Sequence, residues 1–276
     1  MKTGIFQLQV VPLKDILPHE KFDDNRALPL ADKLKADGLL ANPIIVARLE
    51  HGKFVQLDGM NRLSAFRMMK IPGILAQIID YQDLENVELG SWVHLFSGKI
   101  ENMRDHLKKV DGLIVKEGKM DQVRNRYIQS EGLDRLCTLV DKHKNVITVA
   151  YNGNLLEKII RLNDIVAFYA NRIERGVLPA NAAREDIGFM FKEHPSCDIM
   201  SVFPTFARHQ IIKVVRQGSL FPAGITRHLI KRRCLNANLP LVFFSHGSIE
   251  YQNRELEKML KNRNFRLYEE PTIYFE

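Results

Sequence analysis

Three short stretches of this chain carry residue types that can do chemistry. The first is Asp58-Gly59-Met60-Asn61-Arg62, set between a strand-like run ending at Leu57 and a helical run starting at Leu63. The first turn of a helix leaves backbone N–H groups without partners and carries the positive end of the helix dipole, which suits a phosphate. Gly59 lets the backbone approach closely, Asn61 and Arg62 add donors, and a guanidinium can grip phosphate oxygens with both arms. Asp58 beside a phosphate has two sensible tasks, to meet a Mg2+ ion riding on the phosphates or to fix the loop. The same residues also fit a plainer role, a helix capped by Asp58 with Arg62 on the surface.

The second stretch is Pro18-His19-Glu20, in a loop between the first strand and the first helix. A carboxylate there can take a proton from a substrate hydroxyl or simply sit in solvent. The third is Pro222 to His228, followed by Arg232-Arg233-Cys234-Leu235-Asn236. The hydroxyl, guanidinium and imidazole of Thr226, Arg227 and His228 can together bind a carboxylate or phosphate. Their alternative is an edge strand with a solvated basic face. The single tryptophan, Trp92, stands two residues before His94 and is either core or pocket wall.

These residues need elements to hold them. Gln7 to Val11 alternates and predicts a strand. Lys14 to Leu17 reads as a short turn. Leu28 to Asp37 has helical spacing and meets Gly38 as its stop. Ile44 to Leu49 and Lys53 to Leu57 predict a hairpin, the run after Arg62 a helix, and Ile74 to Asp80 a further strand. Residues 1–80 thus predict a compact α/β unit. The middle predicts helices over 101–113, 120–127, 155–174 and 180–192. The end predicts a helix over 206–216, strands from Thr226 and over 239–245, a helix over 250–262 and a final strand from Phe265. The class is α+β, with one domain over 1–90 and a helical and mixed second domain over 91–276.

Composition narrows the field. Of 276 residues, 45% are hydrophobic and 26% charged, which excludes a disordered chain, a collagen-like repeat or a coiled coil. No apolar run approaches the roughly 18 residues of a spanning helix, so no membrane role is expected. The N-terminal residues do not read as a signal peptide. Three cysteines at wide spacing (Cys137, Cys197, Cys234) fit neither a disulfide framework nor a zinc site, and a reducing cytoplasm is expected. The net charge of +7 is uneven: residues 1–90 carry 11 basic and 12 acidic side chains, the remainder 29 and 21. A basic second part can attract nucleic acid, a nucleotide or a phosphorylated product.

The order Pro18-His19-Glu20, Asn42-Pro43-Ile44-Ile45-Val46 and Leu57-Asp58-Gly59-Met60-Asn61-Arg62 resembles the ParB/sulfiredoxin-type nucleotide-binding domain, and within it the free L-serine kinases. Phe221 to His228, Arg233 to Asn236 and the Trp92/His94 pair strengthen the likeness to the ATP-dependent type of siderophore gene clusters. The resemblance implies that residues 1–90 bind the nucleotide and that 91–276 close the active-site cleft. It implies Glu20 as the base that takes the serine hydroxyl proton. It further implies Asp58 to Arg62 as the phosphate loop with Asp58 near Mg2+, Pro43 and Ile44 beside the adenosine, and Trp92, Thr226, Arg227 and His228 around the amino acid. The co-substrate would be ATP or ADP and the product O-phospho-L-serine. Many relatives read D-G-H-H-R, or have a single His before the Arg, where this chain has Met60 and Asn61, so two potential donors become a thioether and an amide. Sulfiredoxins place their catalytic cysteine where Met60 stands, and a thioether cannot do that chemistry. The rival expectation is a ParB-like DNA-binding regulator switched by nucleotide, with the basic excess after residue 90 as its support.

Overall fold

The computed structural model describes residues 5–22, 24–124, 135–179 and 182–267. The chain divides into two compact units. One comprises Met1–Leu17, Phe22–Asn86 and Ile230–Glu276; the other comprises Pro18–Lys21 and Val87–Leu229. This differs from the division at residue 90 expected from the sequence, because the last stretch packs with the N-terminal unit.

In the first unit, β1 (Leu8–Pro12), β2 (Ile16–Leu17), β4 (Ile44–Arg48), β5 (Phe54–Asp58) and β6 (Gly73–Ile79) form a sheet in the order β1-β6-β4-β5-β2. The segment expected as a turn over 14–17 is a 3-10 turn at Leu13–Asp15 followed by β2. Helix α1 (Asp24–Asp37) stops at Gly38, whose φ of 62° lets its N–H return to the Leu34 carbonyl at 2.9 Å. A two-residue strand, β3 (Leu39–Leu40), follows, and α2 (Met60–Met68) springs directly from the end of β5. Val10, Val46, Leu63, Phe66, Ile74 and Leu75 lie at the centre of one buried cluster.

The second unit is built on a six-stranded antiparallel sheet absent from the expected elements. After β7 (Val87–Ser91) come β8 (Val93–Phe96), β9 (Leu113–Glu117), β10 (Arg135–Asp141), β11 (Val146–Tyr151), β12 (Glu174–Gly176) and β13 (Ile199–Val202), in the order β12-β8-β13-β10-β11-β9. Helices α3 (Ile100–Leu107), α4 (Leu155–Ala167), α5 (Arg184–Glu193) and α6 (Arg208–Arg216) accompany it. The expectation of a mostly helical middle is therefore corrected, while the α+β class stands. Alternate strand residues feed two separate cores: Cys137, Leu139 and Ile199 one, Val140, Met200 and Val202 the other. A strand buried on both faces loses the polar alternation that identifies it, so nothing in the pattern marks it. The helix expected over 101–113 ends at Leu107, and the one over 155–174 ends at Ala167. The stretch 120–127 shows only a 3-10 turn at Met120–Gln122; its end, and residues 180 and 181 of the helix expected at 180, lie outside the described residues. Helix α4 starts on a reciprocal cap, with Asn154 Oδ1 accepting from the N–H of Leu156 and Glu157 and Glu157 reaching back to Asn154 N.

β14 (Thr226–Ile230) pairs with β7, and the chain then returns to the first unit. β15 (Leu239–Pro240) pairs with β3. The run 239–245, expected as a strand, continues as a 3-10 turn that seats Phe244 edge-on against Phe66. Helix α7 (Ile249–Lys261) is pinned to edge strand β1 by Asn253, which bonds both the N–H and the carbonyl of Val10. That contact covers an edge which otherwise invites pairing with another chain. Residues 263–267 have no regular structure, and the rest of the strand expected from Phe265 lies outside the described residues.

Candidate active site

The first unit carries the glycine turn. Gly59 sits at φ 87°, and a Cβ there would lie 2.7 Å from Ile44 Cγ2 and 3.0 Å from Arg62 Nη2, so glycine is required by both torsion and space. Asp58 ends β5, and the Leu63 N–H to the Gly59 carbonyl, 3.0 Å, is an early bond of α2. Pro43 and Ile44 are buried immediately beneath the turn, and Met60 and Asn61 stand half-buried in its first helical residues. The structure thus gathers every residue expected to hold the nucleotide.

Arg62 is engaged within the turn itself. Its Nη1 donates to the carbonyls of Asn42 (3.0 Å) and Pro43 (2.6 Å), and its Nη2 to Asp58 Oδ2 (3.1 Å). The guanidinium is a strut between the turn and the start of β4, not a free fork. A second guanidinium, Arg233, bonds the same Asp58 oxygen. Burial pushes the Asp58 carboxyl up, but Arg233, Arg62 and the Gly59 N–H outweigh it and hold it below the usual carboxylate range. The sequence showed Arg233 only as part of a basic run. What brings it here is a set of long-range bonds: Gln77 accepts from Cys234 N (2.8 Å) and donates to the Arg232 carbonyl (2.6 Å), and Asn42 Oδ1 accepts from Asn236 N (2.9 Å). Among the described residues no group of three or more His, Cys, Asp or Glu could hold a metal ion. Asp58 is a lone carboxylate with one oxygen already shared by two guanidiniums. That donor set does not fit a resident metal; a Mg2+ ion entering on the phosphates of a nucleotide is part of the substrate.

The second unit carries Glu20. Residues 19–21 lie beside Phe221 as a short parallel bridge, closed by Phe221 N to the His19 carbonyl (2.9 Å) and Lys21 N to the Phe221 carbonyl (2.8 Å). Glu20 is 6% exposed, which removes the solvated alternative. Its Oε1 accepts from Ile225 N (3.1 Å), Thr226 N (2.6 Å) and the Thr226 hydroxyl (2.7 Å); its Oε2 accepts from Gly224 N (2.8 Å). Oε1 is saturated, whereas Oε2 takes one donor and keeps capacity for a further proton. Since Thr226 gives its proton to Glu20, the His19 ring nitrogen Nε2, 2.7 Å away, must donate to the Thr226 oxygen. His19 packs edge-on against His228, and the Arg227 guanidinium lies over the Trp92 ring at 5.1 Å. Thr226 and His228 are buried, so the solvated basic strand is also removed. Glu20, Trp92, Thr226, Arg227 and His228 are therefore neighbours along one loop and strand, although the Thr226 hydroxyl is occupied by Glu20 and His19.

His94 has no expected task beyond its place two residues after Trp92. It is wholly buried, its Nε2 bonds the Gly224 carbonyl at 2.8 Å, and burial pushes its pKa down to about 3 against the opposing pull of that bond.

No family model matches the chain. It is 23% identical over 277 residues to the ATP-dependent L-serine kinase SbnI of Staphylococcus aureus, covering 98% of this chain and 97% of that one. It is also 23% identical over 241 residues, 84% of this chain and 89% of the other, to an ATP-dependent L-serine kinase of Staphylothermus marinus. Among solved structures, a C-terminally truncated SbnI superposes with a TM-score of 0.67 at 20% identity, covering 95% of this chain and 99% of that one. A free serine kinase variant in complex with ADP superposes with a TM-score of 0.64 at 18% identity, covering 86% and 92%. The fold is that of the free serine kinases. The resemblance to the free L-serine kinases, read from the motifs, is borne out.

Proposed function

We propose that this protein is a free L-serine kinase that transfers a phosphoryl group from ATP or ADP to the serine hydroxyl, giving O-phospho-L-serine. Similarity along nearly the whole chain to a protein named as an ATP-dependent L-serine kinase carries the reading. The buried, hydrogen-bonded Glu20 supports it from the structure. The DNA-binding alternative is not favoured, since both curated relatives are named as kinases.

On this reading Glu20 Oε2 takes the proton from the serine Oγ. The Oγ–phosphorus bond forms as the bond to the leaving oxygen breaks, releasing ADP from ATP or AMP from ADP. Phosphoryl transfer needs little covalent help, so positioning and charge do most of the work. The N–H groups of Met60 and Asn61, Arg233 and the Mg2+ of the nucleotide offset the phosphate charge, and Asp58 is the carboxylate that meets that ion. Arg62 holds the turn in shape, and Pro43 and Ile44 lie beside the adenosine. Trp92, Arg227 and His228 bind the amino acid, and the Thr226 hydroxyl holds Glu20. The three cysteines are free thiols, which fits work in a reducing cytoplasm.

The test is phosphorus NMR of the purified protein with Mg2+, serine and either nucleotide. A phosphomonoester signal of O-phosphoserine with serine, and none with alanine, is expected. Nucleotide turnover indifferent to serine would overturn the proposal.

A further inference from the structure

Two consecutive peptide groups donate to one oxygen of Glu20, and each is gripped from behind. The peptide joining Gly224 and Ile225 gives its N–H to Glu20 Oε1 at 3.1 Å and takes the His94 Nε2 on its carbonyl at 2.8 Å. The next peptide gives the Thr226 N–H to the same oxygen at 2.6 Å and takes the Trp92 N–H on the Ile225 carbonyl at 2.9 Å. The spacing of Trp92 and His94 thus acquires a reason: backbone from one and imidazole from the other hold adjacent peptides.

We infer that His94 is a positioning residue for Glu20, acting through the Gly224–Ile225 peptide group. The inference rests on the kinase reading for its catalytic consequence, not for its geometry. A carbonyl oxygen only accepts, so Nε2 carries the proton; Nδ1 is then an acceptor, and the Tyr169 hydroxyl lies 3.4 Å from it. The ring is wedged edge-on against Tyr169 and Phe203, with centroids 5.9 and 4.9 Å away. A bond to the carbonyl polarises the whole peptide and strengthens the N–H that faces the carboxylate. Gly224 sits at φ 73°, and a Cβ there would lie 2.0 Å from Arg175 Nε, so only glycine lets the backbone present this carbonyl to His94. Burial keeps His94 neutral, so the donor stays in place at any working pH. The carboxylate that must meet the serine hydroxyl is thereby aimed by an imidazole that touches neither substrate.

The experiment compares wild type, His94→Phe and His94→Gln. Phe fills the space without a donor, and Gln restores an N–H. Turnover, the nucleotide KM and the amide signal of Ile225 in isotopically labelled protein are read for each. His94→Phe is expected to lower kcat by about 10- to 100-fold, as for a misplaced reacting group. It should leave the nucleotide KM within about twofold and move the Ile225 amide proton upfield; His94→Gln should recover most of both losses. The inference is overturned if the amide signal ignores His94. It is also overturned if Phe and Gln lower turnover equally and only in step with melting temperature. If wild type makes no phosphoserine while the amide signal still follows His94, the kinase reading fails and the coupling stands.

Discussion

Replacing Glu20 with Gln separates its two roles, clasp and base, because their magnitudes differ. The carboxylate accepts four hydrogen bonds, three on Oε1 and one on Oε2. Gln keeps an oxygen for the crowded side but sets an amide NH2 against the Gly224 N–H, leaving one buried donor facing another. Flipping the amide is worse, since it faces three donors. One unsatisfied buried donor costs about 1–3 kcal/mol. For a protein of this size that is a fall of about 2–12 °C in melting temperature. Loss of a general base costs about 100- to 10,000-fold in rate, or roughly 3–5 kcal/mol of barrier. Well below the melting temperature, the stability loss leaves almost all of the protein folded and cannot imitate a hundredfold loss of turnover. The assay is kcat for serine phosphorylation beside a thermal melt and calorimetric nucleotide binding. The expected result is a modest melting shift, unchanged nucleotide affinity and a loss of kcat of at least about 100-fold. A variant that turns over within about threefold of wild type would refute the base assignment.

Three further outcomes are expected. His94 stays neutral in the fold down to about pH 3, whereas the unfolded chain protonates it near 6.5. The unfolded state therefore binds the extra proton between those values, so this contribution to stability is whole above pH 6.5 and declines as pH falls. The loss is about 2 kcal/mol at pH 5 and about 4 kcal/mol by pH 3; urea midpoints from pH 7 to 5 should fall less steeply in His94→Gln. Gly59→Ala forces an alanine to φ 87° and a Cβ to 2.7 Å from Ile44 Cγ2. It should cost about 1–2 kcal/mol by urea unfolding and weaken nucleotide binding by calorimetry, and unchanged values would show the turn to be relaxed. Arg62→Lys cannot span two carbonyls and a carboxylate at once, so it should raise the nucleotide KM more than it lowers kcat; the reverse pattern would make Arg62 a transition-state group.

The first unit was largely legible because its signals are local. Gly38, the hairpin around His51-Gly52 and the glycine after Asp58 mark turns that the structure keeps, with Gly38, Gly52 and Gly59 all at positive φ. The six-stranded sheet was not legible, since strands such as Arg135–Asp141 are buried on both faces and show no alternation. The site divides the same way. Asp58 to Arg62 announced themselves by a glycine between strand and helix. Arg233 did not, because its place depends on Gln77 and Asn42, more than 150 residues earlier in the chain. Glu20 was visible as a carboxylate, but its burial comes from a loop 204 residues later. His94 was noticed only for its spacing from Trp92, because a hydrogen bond through a peptide leaves no sequence pattern.

The most direct measurement uses serine whose hydroxyl oxygen is a heavy isotope, incubated with Mg2+ and ATP or ADP. Attack by that oxygen on phosphorus, with its proton leaving to Glu20, predicts O-phosphoserine that retains the heavy atom in the bridge, seen as an isotope shift in the phosphorus spectrum. It also predicts that Glu20→Gln makes almost none. Phosphate released without phosphoserine, or phosphoserine formed equally well by that variant, would contradict the account.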